Sequence, residues 1–320
     1  MLFFANYISM KNYTLFLLFI FLFARCEDTS EIINIPDEAF KNMLITKHDK
    51  NADNEISMNE ASKVKELNVS GSPVKGGEIV SLEGIEHFTA LKKLDCSYNK
   101  LTTLNVSENT ELTELLCFDN GMANLNISNN VNLRKLSCHH NVIPELDLSN
   151  NPLIETLFCY INQLTELDVS NNTELKYLSC SYNQITELDV SKNLKLSKFF
   201  CNDNKLEKLD VSNNKELSKL FCYSNMLTIL DVTNNPELTS LGCHDNQLIE
   251  IDLSNNKELL EFSCSNNSLT QLDISNNLKL NRLLCRNSPV LETIYMKEEQ
   301  EIKEFRKNTI SKIIYIESAK

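Results

Sequence analysis

Ten of the eleven cysteines in this 320-residue chain recur at a single spacing of 21 residues. The members of this series are Cys96, Cys117, Cys138, Cys159, Cys180, Cys201, Cys222, Cys243, Cys264 and Cys285. A fixed period of about 20 to 50 residues is typical of solenoids, in which each repeat packs only against its neighbours. The spacing therefore predicts that residues one period apart in sequence are neighbours in space.

Each cysteine belongs to a repeating apolar pattern, which the stretch LKKLDCSYNKLTTLNVSENTE at residues 91–111 illustrates. Leu91, Leu94 and Cys96 have apolar counterparts in nearly every later copy. The unit L-x-x-L-x-C-x-x-N-x-L resembles the leucine-rich repeat and continues over residues 91–285. One unit cannot bury its apolar side alone, so stacked units share a core. We predict a repeat solenoid with a parallel β-sheet on one face and short extended or 3₁₀ segments on the other.

Two columns of asparagine and one of aspartate share the same period. The asparagine columns run from Asn99 to Asn267 and from Asn109 to Asn277. Buried backbone N–H and C=O groups in a tight coil need partners, and stacked Asn amides supply them. In later copies an aspartate precedes serine or threonine by two residues, as in DVS at residues 168–170. This spacing suits side-chain capping of a turn, and a cation bound by the aspartate column is the alternative.

The cysteines occupy the same inward phase as leucine, and a free buried thiol behaves as a small apolar side chain. Cysteines stacked on parallel strands have Cβ atoms near the strand spacing of about 4.8 Å. Disulfides favour about 3.8 Å between those atoms, and a straight column offers no tetrahedral cage for zinc. We therefore predict reduced thiols packed in the core.

The N-terminal stretch MKNYTLFLLFIFLFARCEDTS, residues 10–30, contains an apolar run flanked by a lysine and a cysteine. The run is too short to span about 30 Å of hydrocarbon but suits a secretory signal, so we expect residues 1–25 to be a removed signal peptide. The stretch also resembles a bacterial lipoprotein signal, which implies lipidation of Cys26. Arg25 departs from the small residue usual at that position, so release without an anchor is the alternative. Either way, we expect an exported protein: a cell-surface or outer-membrane lipoprotein, or a secreted one.

The segment DKNADNEISMNE, residues 49–60, fits the ligand spacing of an EF-hand calcium loop. The predicted metal ligands are Asp49, Asn51, Asp53, Glu55, Ser57 and Glu60. The sixth position is Asn54 rather than glycine, and asparagine tolerates the left-handed conformation needed there. Ser57 and Glu60 also match a capping box, so a plain helix start is the alternative. A single loop predicts weak calcium binding.

The opening IPDEAF at residues 35–40, the acidic loop and the segment SLEGIEHFTALKKL at residues 81–94 precede the repeats. This combination resembles secreted bacterial leucine-rich-repeat proteins of the internalin-like group. We divide the mature chain into three parts. Residues 26–63 form a linker and a helical EF-hand-like cap, residues 64–290 the solenoid, and residues 291–320 a C-terminal cap closed by a helix and a strand.

The strand face of a solenoid presents its outward residues in columns, and two of these columns are rich in aromatic side chains. The candidate ligand-binding residues are Phe118, Phe158, Tyr160, Phe200, Phe221 and Tyr223. An exposed apolar patch of this kind is typical of an interaction surface. The alternative is that neighbouring strands shield one another with aromatic rings.

Composition and motifs argue against other functions. The net charge of -13 disfavours nucleic acid as a partner. The sequence has no Gly-rich phosphate loop and no H-E-x-x-H motif, and strand alternation separates Cys138 from His139. With the family resemblance, we predict a monomeric, non-catalytic protein that binds a protein or glycan and contacts membranes only through a lipid anchor. A structural envelope component or an accessory polysaccharide-binding protein is the alternative.

Overall fold

The computed structural model describes residues 31–316, so the predicted signal peptide and Cys26 lie outside the described residues. The chain winds into a solenoid with a twelve-stranded parallel sheet. The strands of this main sheet, in spatial order, are β1 (Glu66–Asn68), β2 (Lys93–Asp95), β3 (Glu114–Leu116), β4 (Lys135–Ser137), β5 (Thr156–Phe158), β6 (Tyr177–Ser179), β7 (Lys198–Phe200), β8 (Lys219–Phe221), β9 (Ser240–Gly242), β10 (Glu261–Ser263), β12 (Arg282–Cys285) and β14 (Glu304–Lys307). A second sheet on the opposite side contains β11 (Gln271–Asp273), β13 (Thr293–Met296) and β15 (Lys312–Tyr315).

Residues one repeat apart are nearest neighbours across the main sheet. Leu94 pairs with Leu115, and Leu115 pairs with Leu136. All three side chains are buried. Because the strands pair in parallel and in register, each apolar column forms a continuous row in the core. The predicted solenoid with 21-residue units is therefore confirmed.

The ten cysteines of the series are free and completely buried in the core. Burial raises the pKa of Cys138 to about 12, and burial also raises the pKa of every other thiol in the column. The thiols therefore stay protonated at neutral pH, where a thiol is a poor nucleophile. The prediction that they pack as small apolar groups is confirmed.

The first asparagine column links each coil to the one before it. The Asn120 side chain accepts a hydrogen bond from Leu101 N–H at 3.0 Å. Its amide donates to the backbone carbonyls of Cys96 and Cys117, both at 3.2 Å. The pattern recurs in later coils, for example at Asn204. Each amide thus pairs backbone groups of two coils at once, as predicted.

The second asparagine column is completely buried and bonds only through its donors. The Asn130 amide donates to the carbonyl oxygens of Val106 and Asn109, both at 2.9 Å. Its Oδ1 atom has no hydrogen-bond partner among the described residues, and the same holds for all nine members from Asn109 to Asn277. Each amide therefore makes two hydrogen bonds to neutral backbone carbonyls, each worth about 1 kcal/mol. These two bonds per coil still fix the spacing between coils.

The aspartate column caps turns. The Ser170 N–H donates to Asp168 Oδ1 at 2.8 Å. The Ser170 hydroxyl and N–H together lower the pKa of Asp168. Equivalent bonds recur from Asp147 to Asp273, so the predicted capping role is confirmed.

Within the described residues, two helices precede the main sheet. Helix α1 (Glu38–His48) buries Phe40 against the core, and the Asp37 side chain caps its first turn by accepting the Phe40 N–H at 2.9 Å. Asp37 also accepts the Val80 N–H at 2.7 Å, which fixes this helix to the first coil. Helix α2 (Met58–Ala61) begins with the predicted capping box. Within residues 31–316, no helix is long and apolar enough to cross a membrane.

The C-terminal segment differs from the prediction of a closing helix. Strand β14 pairs with β12 in the main sheet, and β13 and β15 extend the opposite sheet. The described part of this segment is therefore a continuation of the coil rather than a helical lid. Register here advances by 22 residues, from Arg282 to Glu304, instead of 21.

In this last segment, other side chains make the hydrogen bonds that asparagines make in earlier coils. The 21-residue spacing of asparagine is therefore lost from the sequence. Gln300 donates its side-chain amide to the Asn277 carbonyl at 2.9 Å, in place of a further asparagine. Ser288 occupies the next place in the first asparagine column and is completely buried. Asn308 donates to the Ser288 carbonyl. The chain thus keeps the coil-to-coil bonds with other donors and a changed spacing.

Ten coils contain one residue in the left-handed backbone conformation, three residues after the end of strands β2 to β10 and two residues after β12. The members are Tyr98, Asp119, His140, Ile161, Tyr182, Asp203, Ser224, Asp245, Asn266 and Asn287, with φ between 51° and 55°. This conformation costs an L-residue about 1 to 2 kcal/mol, and asparagine tolerates it best. A β-branched residue is unusual there, so Ile161 is the most strained member.

We expect Ile161→Asn to raise the free energy of unfolding by about 1 kcal/mol, because asparagine relieves the left-handed strain. The reverse change in the same column, Asn287→Ile, is expected to lower it by a similar amount. Urea unfolding monitored by circular dichroism measures both. Destabilisation by Ile161→Asn would mean that the exposed isoleucine stabilises the turn by packing rather than straining it.

Candidate binding face

The main sheet presents two side chains per strand away from the core. In β7, Phe199 is completely buried whereas Lys198 and Phe200 point outward. The second residue after each strand also projects to this side, as Tyr223 does after β8. We call the surface made by these three outward columns the strand face.

All six predicted binding residues lie on the strand face and are half-buried. The structure places them in two groups rather than one patch. In the first group, the rings of Phe118, His139 and Tyr160 stack with centroid distances of 4.3 and 4.2 Å. This group is called the N-terminal stack below.

The second group, called the central cluster, contains Phe158, Tyr177, Phe200 and Phe221. Tyr177 makes edge-to-face contacts with Phe158 at 4.8 Å and with Phe200 at 5.3 Å. Phe200 and Phe221 are stacked at 4.9 Å with their planes 15° apart. Tyr223, beside this cluster, stacks on His244 at 4.2 Å.

Sequence reasoning missed three rings that complete these groups. His139 and His244 lie in the same column as Tyr160 and Tyr223, so the 21-residue period alone places them on the strand face. The signal in the sequence is that an imidazole ring can stack as a phenyl ring does. Tyr177 belongs to a third outward column, at the first residue of each strand, which is otherwise polar. Only the observed contacts show that Tyr177 fills the gap that Ser179 leaves between Phe158 and Phe200.

His139 is neutral in the N-terminal stack. Burial between two rings, with a smaller contribution from His140, lowers the pKa of His139 to about 4. Its Nδ1 atom is hydrogen-bonded to Ser137 Oγ at 2.9 Å. The stack is therefore uncharged at neutral pH and presents aromatic edges and one tyrosine hydroxyl to a ligand.

A catalytic arrangement of Cys138 with a histidine is excluded by geometry. The Cys138 side chain is completely buried and its thiol is protonated. His139 projects to the opposite side, onto the strand face. The two groups cannot act as a nucleophile and base.

Two residues of the predicted calcium loop are left-handed: Ala52 with φ 61° and Asn54, at the sixth position, with φ 65°. Asp49 accepts hydrogen bonds from the backbone N–H groups of Ala52 at 2.7 Å and Asn54 at 3.0 Å. The Ile33 N–H donates to the Ile56 carbonyl at 2.9 Å, and an isolated antiparallel bridge between Ile32 and Ser57 ties the end of the loop to the upstream segment.

The acidic side chains Glu55 and Glu60 of this loop bond to different partners. Glu60 accepts the Lys50 N–H at 2.6 Å and the Ser57 N–H at 2.9 Å. Glu55 forms an ion pair with Lys41 at 2.7 Å. Within residues 31–316, no three His, Cys, Asp or Glu side chains converge in an arrangement that could hold a metal. The observed geometry thus also accommodates the capping-box alternative.

The parallel-sheet solenoid with stacked leucines and asparagines defines the chain as a leucine-rich-repeat protein. Among solved structures, it is similar to the functional domain of InlJ from Listeria monocytogenes, described as including a cysteine ladder. The two are 28% identical with a TM-score of 0.71, over 89% of this chain and 73% of that one. In its fold this chain is therefore similar to the internalins.

Two further internalins of Listeria monocytogenes share the fold. InlF is 21% identical with a TM-score of 0.68, and the match covers 89% of this chain and 96% of that one. InlC2 is 22% identical with a TM-score of 0.58, over 69% of this chain and 95% of that one. No protein-family model matches the sequence, and no curated protein does.

The lowered pKa of His139 predicts a pH-dependent stability. The unfolded histidine takes up a proton near its ordinary pKa of 6.5, whereas the folded one does so near 4. Stability is therefore lost as pH falls from 6.5 towards 4 and levels off below that. We expect His139→Phe, which keeps the stack, to flatten this part of the profile. Thermal unfolding of both proteins between pH 7 and pH 4 measures the difference, and parallel profiles would contradict the assignment.

Proposed function

We propose that the chain is a non-catalytic binding protein that recognises a protein or glycan through the strand face. The observation that carries this proposal is the pair of aromatic groups, the N-terminal stack and the central cluster. Half-buried rings on a soluble chain retain apolar area that a partner can cover, and aromatic residues are enriched in binding hot spots. The similarity to the functional domain of InlJ supports an interaction role.

Among residues 31–316, the outward aromatic side chains of the opposite sheet are Tyr295 and Tyr315, and they form no ring-to-ring contact comparable to those of the strand face. The outward residues of the opposite side of the solenoid include the capping aspartates and isolated aliphatic side chains such as Ile229 and Ile249, which are 69% and 60% exposed. Isolated apolar residues are normal on protein surfaces. The strand face is therefore the better candidate for a binding site.

The experiment replaces Phe158, Phe200 and Phe221 by serine in one variant. A phage-displayed random peptide library and a panel of soluble polysaccharides are passed over the immobilised wild type and this variant. We expect the wild type to retain ligands and the variant to lose them, since each large side chain at the centre of an interface contributes 2 kcal/mol or more, as a rough guide. Thermal unfolding checks that the variant is folded.

A matched control removes apolar residues outside the strand face: Leu194, Ile229 and Ile249, all more than half exposed, replaced by serine. This control is expected to retain ligands like the wild type. If the wild type captures nothing from either probe set, the alternative of a passive structural envelope component replaces the proposal. If the serine variant still binds, the site lies elsewhere.

We also propose that the protein is exported and monomeric, and that it is held at the cell surface by acylation of Cys26 or else released. The support for export is the N-terminal signal pattern, together with the reduced, buried cysteine column, which tolerates an oxidising compartment because its thiols are inaccessible. A lipid at Cys26 would keep the strand face at a membrane surface.

Weak calcium binding by the loop at residues 49–60 is a further part of the proposal, supported by the left-handed Asn54 and the Asp49 hydrogen bonds. With a dissociation constant of about 1 mM, 10 mM calcium is expected to stabilise the chain by about 1.4 kcal/mol. The variant Asp53→Asn, which keeps the turn acceptor but removes a charge, is expected to lose most of this gain, whereas Asp245→Asn keeps it. Equal stability of the wild type with and without calcium would favour the capping-box alternative.

A further inference from the structure

Cations recur in the first outward column of the main sheet, and most of them are paired with a glutamate on an adjacent strand. Lys93 contacts Glu66 at 2.8 Å. Lys135 contacts Glu114 at 2.7 Å. Arg282 on β12 contacts Glu304 in the same way, at 2.9 Å. Along this column, a cation is thus usually neutralised by a glutamate on the neighbouring strand.

Lys198 and Lys219 break this rule. They are directly opposite each other on β7 and β8, both exposed, and within residues 31–316 neither forms an ion pair. The Lys198 ammonium lies 5.3 Å from the Tyr177 ring centroid. Like charges directly opposite on adjacent strands are destabilising, so these two lysines form an unneutralised positive site in a chain of net charge -13.

A depression of about 260 Å³ lies over β9 and β10 and reaches Phe221 on β8, the strand that carries Lys219. It is lined by the small residues Ser240, Gly242 and Ser263, by Phe221 and Leu284 on opposite sides, and by the charged side chains of Glu261 and Arg282. Pockets for complete small-molecule ligands measure about 300 to 1,000 Å³. This depression suits a single large side chain of a partner.

The stacking of the rings shows which aromatic surface stays open. Phe200 and Phe221 stack on each other, and Tyr223 stacks on His244, from one strand to the next. Stacking covers one face of each ring. The other side of Phe221 lies towards Gly242, where the absence of a side chain leaves the depression open. Edge-to-face contact between aromatic rings is favourable, so an aromatic side chain in the depression can pack against Phe221.

From these observations we propose that the strand face between β7 and β12 binds a protein segment that carries a carboxylate beside an aromatic side chain. The carboxylate bridges Lys198 and Lys219 by charge-assisted hydrogen bonds. The aromatic side chain enters the depression and contacts the side of the Phe221 ring that Phe200 leaves open. This inference rests on the proposed binding function and specifies the partner's chemistry.

The test selects a phage-displayed random dodecapeptide library on the immobilised chain and measures binding of two enriched peptides by fluorescence anisotropy. Enriched peptides are expected to contain Asp or Glu within a few residues of Phe, Tyr or Trp. The double variant Lys198→Glu/Lys219→Glu is expected to weaken binding at least about tenfold. Raising the salt concentration is expected to weaken wild-type binding as well.

A second variant, Ser263→Leu, fills the depression. Leu284 and Leu116 occupy the same outward column, so the sheet accommodates leucine there. Its matched control is Ser137→Leu, in the same column but outside the depression. Both serines are hydrogen-bonded to a histidine Nδ1 atom, Ser263 at 3.2 Å and Ser137 at 2.9 Å. We expect only Ser263→Leu to weaken peptide binding, again about tenfold.

The charge control is Lys192→Glu/Lys208→Glu, which makes the same charge change outside the strand face and is expected to leave affinity within twofold. Three results would overturn the inference: enriched peptides without acidic or aromatic residues, retention of polysaccharides alone, or full affinity in both strand-face variants.

The serine variant of Phe158, Phe200 and Phe221 separates this inference from the proposed function. If that variant loses binding while the lysine and Ser263 variants keep full affinity, only this inference is overturned. Full affinity in the serine variant overturns the proposed function too.

Discussion

The hydrogen bonds that asparagine amides make from coil to coil are the interaction on which the rest of this structure depends. An amide such as that of Asn120 reaches carbonyls of two successive coils, which requires the coils to be equal in length and in register. That requirement explains the absence of insertions across residues 91–285. It also explains why ten coils share a left-handed residue at the equivalent turn, even where that residue is Ile161.

Register in turn creates the strand face. Parallel strands about 4.8 Å apart bring equivalent side chains within stacking distance, so an aromatic residue in one coil meets an aromatic residue or imidazole in the next. The observed centroid distances of 4.2 to 4.9 Å in the stacked pairs follow from this spacing. The same spacing brings Lys198 beside Lys219, with no glutamate on either neighbouring strand to neutralise them. Both the ring stacks and the lysine pair of the strand face are thus consequences of a geometry set in the core.

Burial separates the chemistry of the two sides of each strand. On the inner side the thiols are protonated and inaccessible, because a thiolate would have to lose its hydration. On the outer side His139 is kept neutral by the rings above and below it. The ten regularly spaced cysteines therefore offer no thiolate nucleophile at neutral pH.

The sequence by itself determined the solenoid, the buried cysteine column, the asparagine and aspartate roles and the six aromatic residues of the strand face, because each of these depends only on a fixed period. It did not determine the C-terminal coil, where Gln300 and Ser288 replace asparagine and the register advances by 22 residues, so that no periodic signal remains. Only the tertiary structure decided which rings stack, which lysines lack a counter-ion and where small residues leave a depression. Those properties depend on the contacts between three or more neighbouring strands, and a single column of the sequence does not contain them.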